Sequence, residues 1–479
     1  MLIPYARTNV LINEAEEFFG AQGPIPLTQE QKAILRATLE GGRDLDDLAQ
    51  DFRSAWAADP GRTRQLVRAF LENTGQFGVA DIELPPTIDA VIIDRGWQGV
   101  FQHAVDLWHL LNTRYCVLLI APVDPYYSFD SKLATRMLTP KRWGGQSGSL
   151  VECVSVARTV LLKSKPKLAL LTHRAMMPFF FDIAHSVPTI AWGDDYGDFQ
   201  LMAGRHLAEE PPEQNVVCAL QDVLFAQTNT GPWNSLAWAK ASYWTLKNAA
   251  ETWFWTQAQL EHARKAYPQW VNRFRRVFPL IDTARLCPGN EDGAEPVILF
   301  STTNTGGQLG AKGLDPLFRA FIRLPEKARL RLVVHNAQEV PVEVRNLGNR
   351  VQIHERLPKD EMLHVYRSSL VNCRVSRMDS SPVSILESMS AGLPVIVSKV
   401  IAGNIPTIQD GITGFVVDPE DVDGLERRLR ELLENRELRN QLGRRGREAV
   451  LSYSFQSNLG LFERYLAVKA QEELESVAR

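Results

Sequence analysis

Two acidic residues eight positions apart flank a Ser-Ser-Pro turn in residues 379–398, which read Asp-Ser-Ser-Pro and then VSILESMSAGLPVIVS. The apolar residues that follow the turn have helical spacing, which predicts a helix with Ser381 as its N-cap and Pro382 as its first residue. Asp379 would then precede the helix, and Glu387 would lie about a turn and a half inside it. Two carboxylates placed in this way can reach different ends of one extended ligand.

The start of this helix is a second feature that suits a ligand. The strand-like run VNCRV comes before the turn, and ligands of open α/β sheets bind outside the carboxyl ends of the strands. The first N–H groups of the helix, at Val383 and Ser384, carry partial positive charge and suit a phosphate. The layout therefore fits a ligand with hydroxyl groups at both ends and phosphates between. The alternative is a turn acid, Asp379, and an exposed helix residue, Glu387.

A glycine-rich loop separates a strand from a helix in the segment FSTTNTGGQLGAKGLDPLFRAF. Glycines such as Gly306 and Gly307 let backbone N–H groups approach phosphate oxygens, and Lys312 supplies a point charge. A flexible surface turn is the alternative interpretation. Beside the two acids, the loop predicts a diphosphate site.

Composition excludes several classes of protein. The chain has 479 residues, 45% of them hydrophobic, which is enough for about three domain-sized units or for two large ones plus an extension. A formal charge of -3 suggests neither nucleic acid nor an anionic membrane as partner. The N-terminus is unlike a secretory signal, and no stretch has the length of a membrane span. The five cysteines are far apart and predict neither disulfides nor structural zinc, so we expect a reducing cytoplasm: Cys116, Cys153, Cys218, Cys287 and Cys373.

Short apolar runs alternate with amphipathic segments from about residue 88, are interrupted by a Pro- and Gly-rich stretch at 280–296, and then resume. This alternation predicts an α/β protein with parallel sheets in two successive domains. The predicted division is an N-terminal helical extension (1–85), a first Rossmann-like domain (86–280), a second one (281–453) and a C-terminal helix (454–479).

The acid-x7-acid segment resembles the signature of the retaining nucleotide-sugar glycosyltransferases of the GT-B fold, family 4, also described as glycosyl transferases group 1. DGITGFVVDPEDVDGL and FPLIDTARLCP are similar to further parts of that family, and together the matches cover residues 278–453. The resemblance implies two Rossmann-like domains that face a cleft, with the C-terminal helix crossing back to the first. It also implies that the second domain binds the donor.

The resemblance implies roles for individual residues. Glu387 would bind the ribose hydroxyls of the nucleotide, and Asp379 with the following backbone would hold the donor sugar. Lys312 would stabilise the leaving diphosphate, and His173, at the end of a predicted strand, would lie near the donor sugar. A lone histidine is more often a core or surface residue. The remaining implied nucleotide-sugar-binding positions are Ser380, Ser381, Pro382, Val383, Gly306, Gly307, Arg356, Leu357 and Gly99.

Three positions depart from the family pattern. Asp379 stands where the family usually has glutamate, and Thr407 stands where another glutamate is usual. Gly306 takes the place of an arginine that normally accompanies the lysine. The missing cation would have to come from another arginine, and the candidates are Arg377, Arg374 and Arg95.

We therefore expect a retaining, metal-independent glycosyltransferase without a cofactor, acting from a nucleotide-diphosphate sugar on a glycan, small-molecule, lipid or protein acceptor. A catalytically degenerate nucleotide-sugar-binding scaffold and a GT-B-like nucleotide-sugar epimerase are the alternatives. Residues 27–85 have a faint winged-helix or peptide-recognition pattern and would either contact a protein or brace the first domain. The expected location is the cytoplasm, with peripheral attachment to the inner membrane face left open.

Overall fold

The structure is a computed structural model, and it describes most of the chain. The described residues are 2–6, 11–12, 18–20, 23–24, 27–53, 59–73, 77–81, 84–94, 98–121, 137–138, 150–193, 207, 209, 236–289, 296–302, 309–355 and 357–467.

The chain divides into two compact units. One consists of Met1–Pro125, Phe129–Arg276 and Phe462–Arg479, and the other of Tyr126–Ser128 and Val277–Leu461. The predicted extension therefore belongs to the first unit and is not a compact unit of its own.

The extension combines the predicted helices with small antiparallel sheets, which the sequence analysis did not anticipate. Strand β1 pairs with β5, and β2, β3 and β4 form a three-stranded sheet. In chain order the elements are β1 (Leu2–Ala6), β2 (Leu11–Ile12), β3 (Phe18–Gly20), β4 (Gly23–Pro24), α1 (Gln29–Glu40), α2 (Leu45–Asp51), α3 (Pro60–Asn73) and β5 (Phe77–Asp81).

Helices α1 and α2 begin at capping boxes, in which the N-cap side chain and the third helical residue satisfy each other's backbone N–H groups. Thr28 caps α1 and Asp44 caps α2. Buried residues of these helices share one hydrophobic cluster with residues of the first parallel sheet and its helices: Ile34, Leu35, Leu45, Leu48, Val67, Leu71, Val91, Cys153, Val154 and Leu171. The extension thus packs as part of the first domain.

The first domain is built on a seven-stranded parallel sheet with the order β12-β11-β10-β9-β6-β7-β8. This is the Rossmann order extended by one strand. The elements are β6 (Ala90–Ile93), α4 (Gln98–Leu111), β7 (Val117–Ile120), β8 (Met137–Leu138), α5 (Leu150–Ser164), β9 (Leu168–Leu171), β10 (Thr189–Trp192), α6 (Leu236–Asn248), β11 (Glu251–Phe254), α7 (Gln257–Ala266) and β12 (Phe274–Arg276).

The second domain is built on a six-stranded parallel sheet with the order β15-β14-β13-β16-β17-β18. In order of sequence this reads 3-2-1-4-5-6, the Rossmann order. The elements are β13 (Val297–Ser301), α8 (Leu314–Phe321), β14 (Arg329–Val334), α9 (Val342–Arg345), β15 (Val351–Glu355), α10 (Lys359–Arg367), β16 (Val371–Arg374), α11 (Val383–Ser390), β17 (Val395–Val397), α12 (Lys399–Asn404), β18 (Phe415–Val416), α13 (Val422–Glu434) and α14 (Arg436–Val450).

The prediction of an α/β chain with two parallel sheets is confirmed. Strands β8, β11 and β12 were not anticipated, because β8 has only two residues and β12 is the polar run FRR. The β-branched and leucine-rich strands were found because burial on both faces of a parallel sheet demands apolar side chains.

The C-terminal residues 460–467 are helical, and from Phe462 onward they belong to the first unit. The ring of Phe462 lies 5.4 Å from that of Trp253, and the Arg464 guanidinium bonds to the Glu251 carboxylate. Within the described residues, no helix combines the length and apolar character that crossing a membrane requires.

Candidate functional site

Two neighbouring strands of the second domain end at the point where the strand order reverses. Ser301 is the last residue of β13 and Arg374 the last residue of β16, and these strands pair in parallel. The Arg374 guanidinium donates a 2.7 Å hydrogen bond from Nη1 to the Ser301 carbonyl oxygen. Ligands of doubly wound sheets bind outside such a switch point, so the side chains at these two strand ends are the candidates for contact with a ligand.

Asp379 forms ion pairs with two buried cations at this point, Lys312 and Arg374. Its Oδ1 lies 3.1 Å from Lys312 Nζ, and its Oδ2 lies 2.9 Å from Arg374 Nη2. Ser376 Oγ donates to Oδ2 at 2.9 Å, and the Ser380 N–H donates to Oδ1 at 3.1 Å. The structure therefore brings together Asp379 and Lys312, which the sequence predicts as site residues, and adds Arg374 to them.

The cluster of Lys312, Arg374 and Asp379 is charged and buried. The three side chains are only 9%, 6% and 6% exposed, and they carry two positive charges and one negative charge. Burial opposes ionisation of Asp379, but the charges of Arg374 and Lys312 outweigh it and lower the pKa of that carboxyl. Two buried cations beside one carboxylate also offer N–H groups that can donate charge-assisted hydrogen bonds to a bound anion.

Ser301 adds a hydrogen-bonding group beside the cluster. Its hydroxyl oxygen is buried and has no hydrogen-bond partner among the residues that the structure describes. Ser301 shares its face of the sheet with Leu299, which packs in the same hydrophobic cluster as Ile385 and Leu386 of α11. The hydroxyl thus lies on the side of the sheet that carries the start of α11.

The start of α11 differs from its prediction. The N-cap is Pro382 and not Ser381, and the helix begins at Val383. Ser381 is buried, and its hydroxyl donates instead to the Asn404 carbonyl oxygen at 3.5 Å. The correction shifts the helix start by one residue and leaves Ser384 near the cations, with its hydroxyl oxygen 3.4 Å from Arg374 Nη1.

Glu387 lies on α11, and its hydrogen-bond partner Tyr366 is close enough to Arg374 for the charge of that arginine to act on the phenol. The hydroxyl of Tyr366 donates a 2.7 Å hydrogen bond to Glu387 Oε2. Tyr366 is buried, whereas Glu387 is half-buried. The two acids of the opening motif therefore have different surroundings: Asp379 is enclosed by cations, and Glu387 is held by a phenol.

The structure distinguishes the three arginines proposed to replace the missing cation. Arg374 lies in the cluster. Arg377 instead bonds to Asp315 at 2.8 Å and to Glu420 at 2.7 Å at the surface of the domain. Arg95 lies outside the described residues, so no contact is assigned to it.

The remaining predicted positions are scattered or not described. Gly306, Gly307 and Arg356 lie outside the described residues. Leu357 is partly buried against the hydrophobic cluster of Tyr366. Gly99 is the second residue of α4 and therefore lies in a helix, not in the loop that the sequence predicts.

His173 is fully buried at the carboxyl edge of the first sheet, two residues after β9. The neighbouring Thr172 hydroxyl donates to the carboxylate of Asp94, which directly follows β6. Strands β6 and β9 are the pair at the order reversal of the first sheet. His173 thus lies two residues beyond the end of β9, whereas Arg374 is the last residue of β16.

Among the described residues, no group of three or more His, Cys, Asp or Glu side chains is arranged to hold a metal ion. The expectation of metal independence stays a prediction.

Residues 293–449 match the family described as Glycosyl transferases group 1. These residues are a glycosyl transferases group 1 domain. The domain contains the whole ion cluster, Tyr366 and Glu387.

Curated relatives match part of the chain. Sulfoquinovosyl transferase SQD2 of Arabidopsis thaliana is 33% identical over 156 residues, which is 32% of this chain and 30% of SQD2. D-inositol 3-phosphate glycosyltransferase of Thermobifida fusca is 25% identical over 219 residues, 40% of this chain and 50% of that protein. The chain thus spans half or less of the length of these two relatives.

Solved structures resemble a larger part of the chain. Sucrose-phosphate synthase of Thermosynechococcus elongatus has a TM-score of 0.55 at 18% identity and covers 81% of this chain and 98% of its own. HepE of Anabaena, in complex with UDP and glucose, has a TM-score of 0.54 at 15% identity and covers 78% and 99%. This likeness shows the fold, which is the GT-B type with two Rossmann-like domains.

Several residues of the site were missed in the sequence. Ser301 and Ser376 gave no signal beyond their places at the ends of strand-like runs. Tyr366 and Arg285 lie in segments that were interpreted as helix and linker. A polar residue at the last position of a buried strand is the signal that identifies Ser301 and Arg374, because the interior of such a strand excludes polar side chains.

Proposed function

We propose that this protein is a glycosyltransferase that moves a sugar from a nucleotide-diphosphate sugar to an acceptor. The observation that carries the proposal is the buried cluster of Lys312, Arg374 and Asp379, which places two cations at the switch point of the second sheet. A diphosphate is the anion that a nucleotide sugar would place there. Lys312 and Arg374 would each donate hydrogen bonds to its oxygens.

The chemistry follows from the charge that develops during transfer. The bond between the anomeric carbon and the diphosphate oxygen breaks, and its electron pair leaves with the diphosphate. Negative charge grows on the leaving group, so the fixed charges of Lys312 and Arg374 stabilise the transition state more than the bound donor. The acceptor oxygen bonds to the anomeric carbon, and its proton passes to the departing diphosphate.

Asp379 has a supporting role in this proposal. Both of its oxygens already accept hydrogen bonds from the chain, from Lys312, Arg374, Ser376 and Ser380. We therefore assign it to orienting the two cations, in place of the contact with the donor sugar that the sequence predicts. Glu387 keeps its predicted role toward the ribose hydroxyls.

Relatives and structural neighbours support the class of donor. SQD2 is named a sulfoquinovosyl transferase, and HepE was solved with UDP and glucose. The proposal includes retention of configuration, independence of metal ions, a role for His173 near the sugar, and a glycan, small-molecule, lipid or protein acceptor. Buried residues of α1, α2 and α3 pack into the core of the first domain, which favours bracing over recruitment of a protein partner.

A panel of UDP-, GDP-, ADP- and dTDP-sugars tests this proposal. Nucleotide release is measured with and without simple acceptors, with EDTA present in a parallel series, and the configuration of the product is determined by NMR. We expect release from one donor, unaffected by EDTA, and a product of retained configuration. Glu387→Ala should abolish most of the release, while the exposed Glu361→Ala serves as the matched control.

Other outcomes of this panel identify the alternatives. Binding of a nucleotide sugar without release or conversion would show a scaffold. Conversion of the donor sugar without any acceptor would show an epimerase. Neither binding nor release from any donor would overturn the proposal.

A further inference from the structure

Tyr366 and Glu387 form a hydrogen-bonded pair that joins two helices of the second domain. Tyr366 lies near the end of α10, and Glu387 lies in the middle of α11. The phenol oxygen is 2.7 Å from Glu387 Oε2, which is the length of a charge-assisted O–H···O⁻ bond. This contact fixes the orientation of a half-buried carboxylate that would otherwise rotate about its own side chain.

The environment of Tyr366 keeps its phenol as the hydrogen-bond donor to Glu387. Tyr366 is 1% exposed, and its ring packs among the apolar side chains of the second core cluster of the domain. Burial and the neighbouring Glu387 carboxylate raise the pKa of Tyr366 well above its usual range. The hydroxyl therefore stays protonated at neutral pH and donates to the carboxylate throughout.

Arg285 supplies a second, independent observation at the same place. It lies close enough to Tyr366 for its charge to act on the phenol, opposing the rise in pKa. All three of its guanidinium nitrogens are buried and have no hydrogen-bond partner among the described residues. A buried guanidinium without acceptors is unfavourable, and a bound ligand with hydroxyl oxygens would provide them.

We infer that Tyr366 is a positioning residue that holds the Glu387 carboxylate for a ribose diol, with the Arg285 guanidinium as the hydrogen-bond donor to the same ligand. The inference rests on the proposed function and deepens it, because it names what selects ribose over deoxyribose. The phenol fixes Oε2 of Glu387, so the plane of the carboxylate that meets the ligand is set by Tyr366. A vicinal diol both donates and accepts, so a carboxylate beside a guanidinium complements it.

The test compares Tyr366→Phe with Tyr453→Phe. Both tyrosines are buried in the same hydrophobic cluster, and both substitutions remove only a hydroxyl group. Titration calorimetry measures the affinity of each protein for UDP, GDP and ADP and for their 2′-deoxyribose counterparts. Melting temperatures establish that the variants fold.

For wild type and Tyr453→Phe, we expect the preferred ribonucleotide to bind about tenfold more tightly than its deoxy form, the effect of one hydrogen bond to a charged group. Tyr366→Phe should reduce this ratio to about two and should raise KM of the donor with little change in kcat. Arg285→Met should reduce the ratio in the same direction, which gives a second route if Tyr366→Phe fails to fold.

An unchanged ribose preference in folded Tyr366→Phe would overturn the inference while leaving the proposed function intact. Wild-type protein that binds none of these nucleotides would instead overturn the proposed function itself.

Discussion

Asp379 is the residue on which the two buried cations depend. Its carboxylate contacts both Lys312 and Arg374, and its side chain is 6% exposed. Removing one member of a buried ionic group is far more destabilising than removing a surface ion pair, because the remaining charges lose their compensation. The residue therefore links the stability of the domain to the chemistry of the site.

Asp379→Asn should destabilise the protein by about 3 to 5 kcal/mol, as expected when a buried ionic group loses one partner. Asp315→Asn is the matched control, because Asp315 pairs with Arg319 and Arg377 at the surface and is 43% exposed. The control should lower stability by about 1 kcal/mol or less. Urea denaturation at pH 7 measures both. A variant at Asp379 as stable as wild type would contradict the charge balance described here.

The difference in stability between wild type and Asp379→Asn should depend on pH in a direction that the pKa shift determines. Because the pKa of Asp379 is lowered in the folded protein, its contribution is complete above the ordinary aspartate pKa of about 3.9 and is lost as pH falls through the folded value. The difference in stability between wild type and Asp379→Asn should therefore be constant from pH 5 to pH 8 and should shrink below pH 4.

At the scale of elements, the loop after β13 and the end of β16 fit closely together. Gly313 is the N-cap of α8 and has a φ of +87°, in the left-handed region that favours glycine. A Cβ atom at this position would lie 2.4 Å from the carbonyl oxygen of Val375. The close approach places Lys312 beside the residues that follow β16, including Asp379.

Gly313→Ala should therefore displace the loop and separate Lys312 from Asp379. We expect a loss of at least about 2 kcal/mol of stability and a clear loss of affinity for the nucleotide diphosphate. Gly348→Ala is the control, since Gly348 also has a positive φ, +58°, but has no atom within 4 Å of the added Cβ. It should cost about 1 kcal/mol and leave nucleotide binding unchanged. Equal effects of the two substitutions would contradict the close fit of the loop.

The sequence predicts the helices and strands better than it predicts contacts between side chains that are distant in the chain. The strands of the second sheet were visible because each is a short apolar run between turn residues, and Lys312 and Asp379 were visible because each stands in a segment with recognisable chemistry. Their contact depends on how two distant loops meet at one sheet edge, which no local pattern encodes. For the same reason, the sequence alone could not decide which of three arginines replaces the missing cation, whereas the structure places Arg374 beside Lys312 and Asp379.

Other residues had no local signal at all. Tyr366 resembles any apolar residue on the buried face of a helix, and its value lies in a hydrogen bond to another helix. The helix start at Pro382 was misplaced by one residue because Ser381 has the chemistry of an N-cap but donates its hydroxyl hydrogen to Asn404 instead. Local propensity was overridden by tertiary packing in this case.

At the scale of the whole molecule, a net charge of -3 repels a nucleotide anion, so any affinity must come from a local site. The first domain and its extension form one packing unit, because residues of helices α1 to α3 belong to the hydrophobic core of that domain. The second domain carries the buried cations. The residues that match glycosyl transferases group 1, 293–449, also lie within this domain. Under the proposed function, the donor would therefore bind to the second domain.

Binding of nucleoside diphosphates and monophosphates tests the central claim most directly. UDP, GDP, ADP and their monophosphates are titrated into wild type, Lys312→Met and the exposed control Lys399→Met. We predict that one diphosphate binds to wild type and to the control at least about tenfold more tightly than its monophosphate, and that Lys312→Met loses this preference. Equal affinity of wild type for the monophosphate and the diphosphate, or a preference that survives in Lys312→Met, would contradict the assignment of the buried cations to a diphosphate.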